Sequence, residues 1–187
     1  MKKITYLSLI LIAGLLLSSC STMKIVHNKQ RDKLMKKEKQ YRLLGGIAEI
    51  GEAKSQREDI ARDKARTDAY IKIGQSIQSR IDGISTLYIK ELGSGDDSEI
   101  KESFEKIAQV IINTTIQGIF SVKETITLQK GVYTVYALYA ITPRSINTRL
   151  MNELKAQQPE IYERFSLSKS YENMENEVFE YEKEIKQ

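Results

Sequence analysis

One thiol and one imidazole, Cys20 and His27, stand among the 187 residues. Neither has a chemical companion. Cys20 closes the run Leu17-Ser18-Ser19-Cys20, behind an apolar stretch from Ile4 to Leu17 and a basic start, Met1-Lys2-Lys3. A lone thiol without a base beside it is no catalytic pair. His27 lies in a polar stretch without a second histidine, so Ser-His-Asp and Cys-His chemistry lack a convincing base. Zinc would need carboxylates almost alone. Asp96, Asp97 and Glu99 are close in sequence, but the spacing of a calcium loop is missing and helix capping accounts for them better. Carboxylate pairs for glycosidic cleavage stay open, because acids are common and no local pattern selects a pair. Gly45-Gly46 lacks the Lys-Ser/Thr that would complete a phosphate loop. Asn113-Thr114-Thr115 matches a glycosylation sequon and is given no role. No catalytic residue, metal ligand or cofactor is expected.

The basic start, the short apolar stretch and the small residues before Cys20 are marks of a secretory signal. With its Cys-terminated box, the segment resembles a bacterial lipoprotein signal. That resemblance implies diacylation of the Cys20 thiol, cleavage before it and acylation of the new amino terminus. The apolar run is short for a hydrocarbon core of ~30 Å. The alternatives are an uncleaved anchor helix with an incidental cysteine, or cleavage without lipid. Acyl chains contribute ~0.8 kcal/mol per buried CH₂, and more than one chain makes anchoring stable. Ser21, not Asp, follows the cysteine. By resemblance to sorted Gram-negative lipoproteins this implies the outer membrane, with the leaflet open.

Cleavage would leave 168 residues, enough for one domain with tails. The 41% hydrophobic content supports a core and the 29% charged content a well-solvated body. With Cys20 acylated, neither a disulfide nor a cysteine-based metal or redox site is available. The net charge of +4 hides an asymmetry. Lys24, Lys29, Arg31, Lys33, Lys36, Lys37, Lys39 and Arg42 crowd the segment after the anchor, opposed by Asp32 and Glu38 alone, whereas glutamates dominate from Pro159 onward. The pI near 9.0 therefore does not signal nucleic-acid binding. A basic segment beside a lipid anchor would be drawn to anionic headgroups at ~1 kcal/mol per Lys or Arg, or would simply be a solvated tether.

Stepping along the chain, residues 20–40 read as a lipidated flexible tether, with Leu34 and Met35 the one place where a short helix could begin. A first strand is expected over Tyr41–Gly51, its glycines marking a bend or bulge. Ser55-Gln56-Arg57-Glu58 has the form of a capping box. Behind it Ala61, Ala65, Ala69, Ile73, Ile77 and Ile81 recur every four residues, the stripe of a long helix. Lys64, Arg66, Asp68, Lys72, Gln75 and Arg80 cover its polar side, and Gly83 is a plausible stop. A strand is expected over Ser85–Leu92. A second amphipathic helix carries Ile100, Phe104, Ile107, Ala108 and Ile111. Thr114–Leu128 is β-like. Gln129-Lys130-Gly131 is a turn, and Val132–Ile141, apolar on both alternating sets, is a return strand placed centrally in the sheet. Tyr133 and Tyr139 share one strand face and Tyr136 the other, as core packing or as an aromatic strip for a sugar or partner. Pro143 ends the strand, Ser145–Gln157 is helical and Pro159 breaks it. Finally Tyr171, Met174, Val178, Tyr181 and Ile185 form a 3–4–3–4 seam among glutamates. A helix this short needs to dock on the body, dimerise or meet a partner, so the seam is a candidate partner surface.

Gly46-Ile47-Ala48 on a strand, Ala61-Arg62-Asp63-Lys64-Ala65-Arg66-Thr67-Asp68-Ala69 on a long helix, and a hairpin ending in Val132-Tyr133-Thr134-Val135-Tyr136-Ala137-Leu138-Tyr139-Ala140-Ile141 recur here together with the lipobox. In that order they resemble the Lpp-twenty-like outer-membrane lipoproteins, whose domain also occurs in flagellar assembly accessory proteins. The resemblance covers residues 41–142. It implies a compact α+β domain and a cell-envelope role, with no catalytic residues to carry over, and it leaves the acidic tail outside the match. The expected chain is therefore a signal peptide (1–19), a tether (20–40), one α+β domain (41–142) and a helical extension (143–187). The domain is an antiparallel sheet packed against a long helix, roughly β-α-β-α-β-β. The expected function is a membrane-anchored, non-enzymatic module that binds or scaffolds another envelope protein or a cell-wall component. The alternatives are an envelope hydrolase using surface carboxylates, and a surface-exposed adhesin or antigen.

Overall fold

Ala61, Ala65, Ala69, Ile73, Ile77 and Ile81 are all fully buried, so the four-residue stripe is the core face of one long helix. The computed structural model describes residues 29–93, 97–114 and 118–185. In chain order these form α1 (Lys29–Leu43), β1 (Ile47–Ser55), α2 (Glu58–Leu92), α3 (Asp97–Thr114), β2 (Phe120–Gln129), β3 (Val132–Ile141), α4 (Pro143–Gln157), α5 (Pro159–Ser166) and α6 (Lys169–Ile185). The fold is α+β: one antiparallel sheet in the order β1-β3-β2, packed against the long α2. β3 is central, as its two apolar faces require. Lys130 and Gly131, with φ of 50° and 76°, make the two-residue turn between β2 and β3. Left-handed backbone at both positions matches the twist of the flanking strands.

The two sheet faces are covered by different helices. Val135 and Ala137 of β3 meet Ala61 and Ala65 of α2. On the opposite face Ala48, Tyr136, Leu138 and Ala140 enclose Leu34 of α1. Tyr133 and Tyr139 thus pack on the α2 side and Tyr136 on the α1 side. The largest core cluster joins the bulky half of α2 to α3, α4, α5 and α6. Its centre is aromatic: Phe165 stands edge-on to Tyr88 at 5.1 Å and to Phe104 at 5.5 Å.

Five local expectations are corrected. Residues 29–40 are not flexible tether but most of α1, held by the full burial of Leu34. The helix ends in a Schellman turn: Gly46 N–H donates to Tyr41 O and Gly45 N–H to Arg42 O, both at 3.0 Å, with Gly45 at φ 85°. The segment Tyr41–Leu44 is therefore a helix end and turn, and the first strand starts at Ile47. The capping box does not form. Ser55 is the last residue of β1, where its Oγ accepts the Arg57 amide at 3.1 Å. Ser85–Leu92 continues α2 instead of forming a strand. Gly83 faces open space and ends nothing, while Ser85 and Tyr88 prolong the buried stripe. Lastly, the bulge lies in β2, at Ser121/Lys123, and not among the glycines of β1.

The C-terminal seam is core. Met174, Val178 and Tyr181 are buried, and Tyr171 is half-buried beside Phe165 at 5.9 Å. Polar contacts hold α6 in place as well. Asn147 Nδ2 donates to Met174 O at 3.0 Å inside the fold. The Glu91 carboxylate, at the end of α2, accepts the Lys169 and Ser170 amides at 2.7 and 2.9 Å. A carboxylate on the first amides of a helix is a favourable cap, and those amide bonds, Lys169 first, hold Glu91 below the usual carboxylate range. The seam is therefore not an open partner surface: four of its five residues are taken up by their own domain, and Ile185 is left 53% exposed.

Candidate functional site

Thr67, Tyr70, Ile71, Gly74, Gln75 and Gln78 occupy one flank of α2, beside its buried stripe. Their spacings of three and four place them on a continuous helical strip. With Gln109 and Ile112 of α3 they line a groove of about 680 Å³. No motif in the sequence singles out this groove. A signal existed, since the strip is uncharged from Thr67 to Gln78 except for the neighbours that flank it, but the opposing wall is some thirty residues downstream, as the 31-residue separation of Gln78 and Gln109 shows.

The lining contains no Asp, Glu, Lys, Arg or His, in a chain of which 29% is charged. Ile71 is 58% exposed, an apolar side chain left facing water. Gly74 sets the depth, because a Cβ there would come within 3.2 Å of Ile112 Cγ2. Gln109 Nε2 donates to Gln78 Oε1 at 3.0 Å, which ties the two helices across one end. Tyr70 is held edge-on to Tyr139 of β3 at 5.2 Å. Burial, with Tyr70 adding to it, pushes the Tyr139 hydroxyl up. Chemically the groove offers an apolar floor with neutral amide and hydroxyl groups around it. Such a surface can bind; it holds neither a nucleophile–base pair nor a charged acid.

The charged side chains that converge do so for other ends. β1 is an edge strand, and its outward backbone groups are met by side chains. Arg42 Nε donates to Ala48 O at 3.1 Å, Lys72 Nζ donates to Ile50 O at 2.9 Å, and Asp68 Oδ2 accepts the Glu52 amide at 2.9 Å. This seals an edge that would otherwise invite a further strand. Arg42 also bonds Glu49 at 2.7 Å and Glu38 at 3.1 Å, and Ser76 Oγ donates to Glu49 at 2.5 Å. Burial raises the Glu38 pKa, with Arg42 opposing and Glu49 reinforcing the shift. For Asp68, burial works the other way from Lys72 and the Glu52 amide, and these bonds prevail to lower it. Lys72 is thus half-buried and bonded rather than merely solvated.

A second groove, of about 640 Å³, runs between the end of α1 and α6 and brings together Glu177, Glu180 and Glu184. It also holds Arg42 and Arg80. Arg80 bonds Glu177 at 2.6 Å and Gly45 O at 3.1 Å, so this acidic convergence is partly neutralised and partly structural.

Of the other residues singled out in the sequence, Cys20, His27 and Asp96 lie outside the described residues. Asp97 and Glu99 fall in the first turn of α3, where acids suit the helix dipole. Among the described residues no group of three His, Cys, Asp or Glu is placed to hold a metal ion, and no helix is long and apolar enough to cross a membrane. Compared with protein-family models, curated proteins and solved structures, the chain finds no match.

Proposed function

We propose that the chain is a cell-envelope lipoprotein, held at the outer membrane by acylated Cys20, whose domain is a non-enzymatic module that binds or scaffolds another envelope component. The partner is an envelope protein or a cell-wall component. The likeness to the Lpp-twenty-like lipoproteins in the lipobox, the alanine-rich helix and the closing hairpin supports the envelope assignment. The observation that carries the binding role is the uncharged groove. An exposed Ile71 over a glycine-deepened floor, walled by three glutamines, is a surface for contact and not for proton transfer.

Two experiments test the two halves. Cys20→Ser, followed by a clickable fatty acid in growing cells, should abolish label uptake and release the protein or leave an unprocessed precursor. Normal processing and membrane retention of the substituted chain would sink the anchor. A photo-crosslinking residue at Ile71 or Gln75 should capture the same envelope component, whereas one at Lys64, on the charged side of α2, should not. Absence of any adduct at Ile71 and Gln75 in protein that sits in the envelope would remove the groove as a binding surface.

A further inference from the structure

Lys29, Lys33, Lys36, Lys37 and Lys39 of α1 are exposed, and none is paired with an acid among the described residues. The two arginines of the same helix are engaged: Arg42 by Glu38 and Glu49, and Arg31 with Glu52 at 4.0 Å. Lys29, Lys33 and Lys36 recur at spacings of four and three on the side away from buried Leu34, with Lys39 continuing that side and Lys37 at its flank. Asp32 lies on this side as well, at spacings of three and four from Lys29 and Lys36; it is half-buried, and it is outnumbered by the lysines. Because α1 is docked on the sheet, these lysines form a face of fixed orientation. Leu43, 73% exposed, adds an apolar side chain at the end of the same surface. Basic faces with exposed apolar residues suit the headgroup region of a bilayer.

Chain length chooses the occupant among polyanions. Eight residues separate Cys20 from Lys29, an extended reach of at most ~30 Å. A bilayer bound through Cys20 is therefore always within reach, at high effective concentration. We propose, resting on the reading of Cys20 as a lipid anchor, that α1 lies against anionic phospholipid headgroups through Lys29, Lys33, Lys36 and Lys39. The consequence is orientation. α1 covers the sheet face of Ala48 and Leu138, and α2 covers the face of Ala137. With α1 on the bilayer, the groove beside Tyr70 and Ile71 is turned away from it.

Cys20 is the only cysteine, so an introduced thiol can be labelled uniquely in the acylated chain. A fluorophore is placed at Gln40→Cys on α1 or at Gln75→Cys in the groove. Each protein is mixed with vesicles of phosphatidylcholine, or of phosphatidylcholine with about a third phosphatidylglycerol, each carrying a headgroup quencher. Flotation of the vesicles reads the anchor separately. The expected result is quenching at Gln40 several-fold stronger on the anionic vesicles, relieved by salt, with none at Gln75 on either. Lys29→Glu, Lys33→Glu, Lys36→Glu and Lys39→Glu together should abolish it, and the corresponding Gln variants, milder for folding, should reduce it. Equal quenching at Gln40 on both vesicles, or its persistence in the Gln variants and at high salt, would overturn the proposal while flotation upheld the anchor. Failure to float with phosphatidylcholine would instead overturn the anchor, and quenching on anionic vesicles would then decide the lysine face by itself. Protection of Gln40 by duplex DNA but not by vesicles would assign the face to nucleic acid and overturn the membrane.

Discussion

A Cβ on Gly51 would stand 1.8 Å from the carbonyl oxygen of Ala65, with the Ala69 amide nitrogen at 2.7 Å. Strand β1 and helix α2 touch backbone to backbone, which no residue other than glycine permits at this point. The alanine half of the α2 stripe exists for the same reason. Gly51→Ala should therefore destabilise by about 3 kcal/mol or more, at the upper end of overpacking costs, because the obstacle is backbone and cannot rotate away. Gly83, in the middle of α2, faces open space. There the same substitution should stabilise by about 0.5–1 kcal/mol through helix propensity. Denaturant midpoints of the two variants should move in opposite directions.

Ile77 and Lys72 test the two sides of α2. Ile77→Ala empties a fully buried site and should cost ~2–5 kcal/mol. Lys72→Ala removes the donor to Ile50 O on the open edge of β1, and should cost about 1 kcal/mol, more than the ~0.5 kcal/mol of an unattached surface lysine. Lys64→Ala, exposed on the same helix, is the comparison. Equal melts for Lys72→Ala and Lys64→Ala would show that the edge bond contributes nothing.

On α6, burial separates neighbours. Met174→Ala should cost ~2–5 kcal/mol because its side chain is part of the main core. Phe179→Ser, at a site 65% exposed, should shift stability by no more than ~0.5 kcal/mol. Deleting residues 169–187 should melt the domain cooperatively rather than leave it intact. Circular dichroism on heating reads all three.

Burial pushes the Tyr181 hydroxyl up to about 12, with Tyr41 adding to the shift. The folded state thus holds this proton longer than the unfolded chain, whose tyrosine titrates near 10. Its contribution is fully present below pH ~10 and is lost as the pH rises toward about 12. Tyr88, Tyr139 and Tyr171 are raised by burial too, so the alkaline loss is shared. The Tyr181 oxygen has no hydrogen-bond partner among the described residues, so Tyr181→Phe should be within ~1 kcal/mol of the parent at pH 7. In urea titrations it should then lose less stability than the parent between pH 10 and 12.

Elements whose burial is written in one periodic stripe were legible in the sequence: α2 from Ala61 to Ile81, α3, the β2–β3 hairpin and the seam of α6. α1 was not, because a single buried side chain, Leu34, docks it and its other contacts come from residues such as Tyr41, Arg42 and Arg31. Charged residues that reach a strand edge look, in a sequence, like charges that reach water. The end of α2 was misread because Gly83 carries a stop signal on a face where nothing stops the helix, while Tyr88 kept the stripe going seven residues past Ile81. The α6 seam was read correctly as apolar, yet its partner could not be named, since Asn147 and Glu91, which hold the helix, lie 27 and 78 residues from their bonding partners. The groove was illegible for a similar reason. Its two walls come from different helices, and its defining property is that charge is missing from both.

Arg80 and Glu177 are 97 residues apart, and a Cβ on Gly46, where β1 is about to begin, would meet Tyr181 of α6 at 3.0 Å. α6 thus closes on the segment that joins α1 to β1 and on the middle of α2. During synthesis α1 and β1 therefore lack one packing partner until α6 emerges. Contacts this distant in sequence form late and slowly. A chain cut before Met174 would lack one wall of the main core, and should be digested by a protease faster than the full chain, because its open form is more populated.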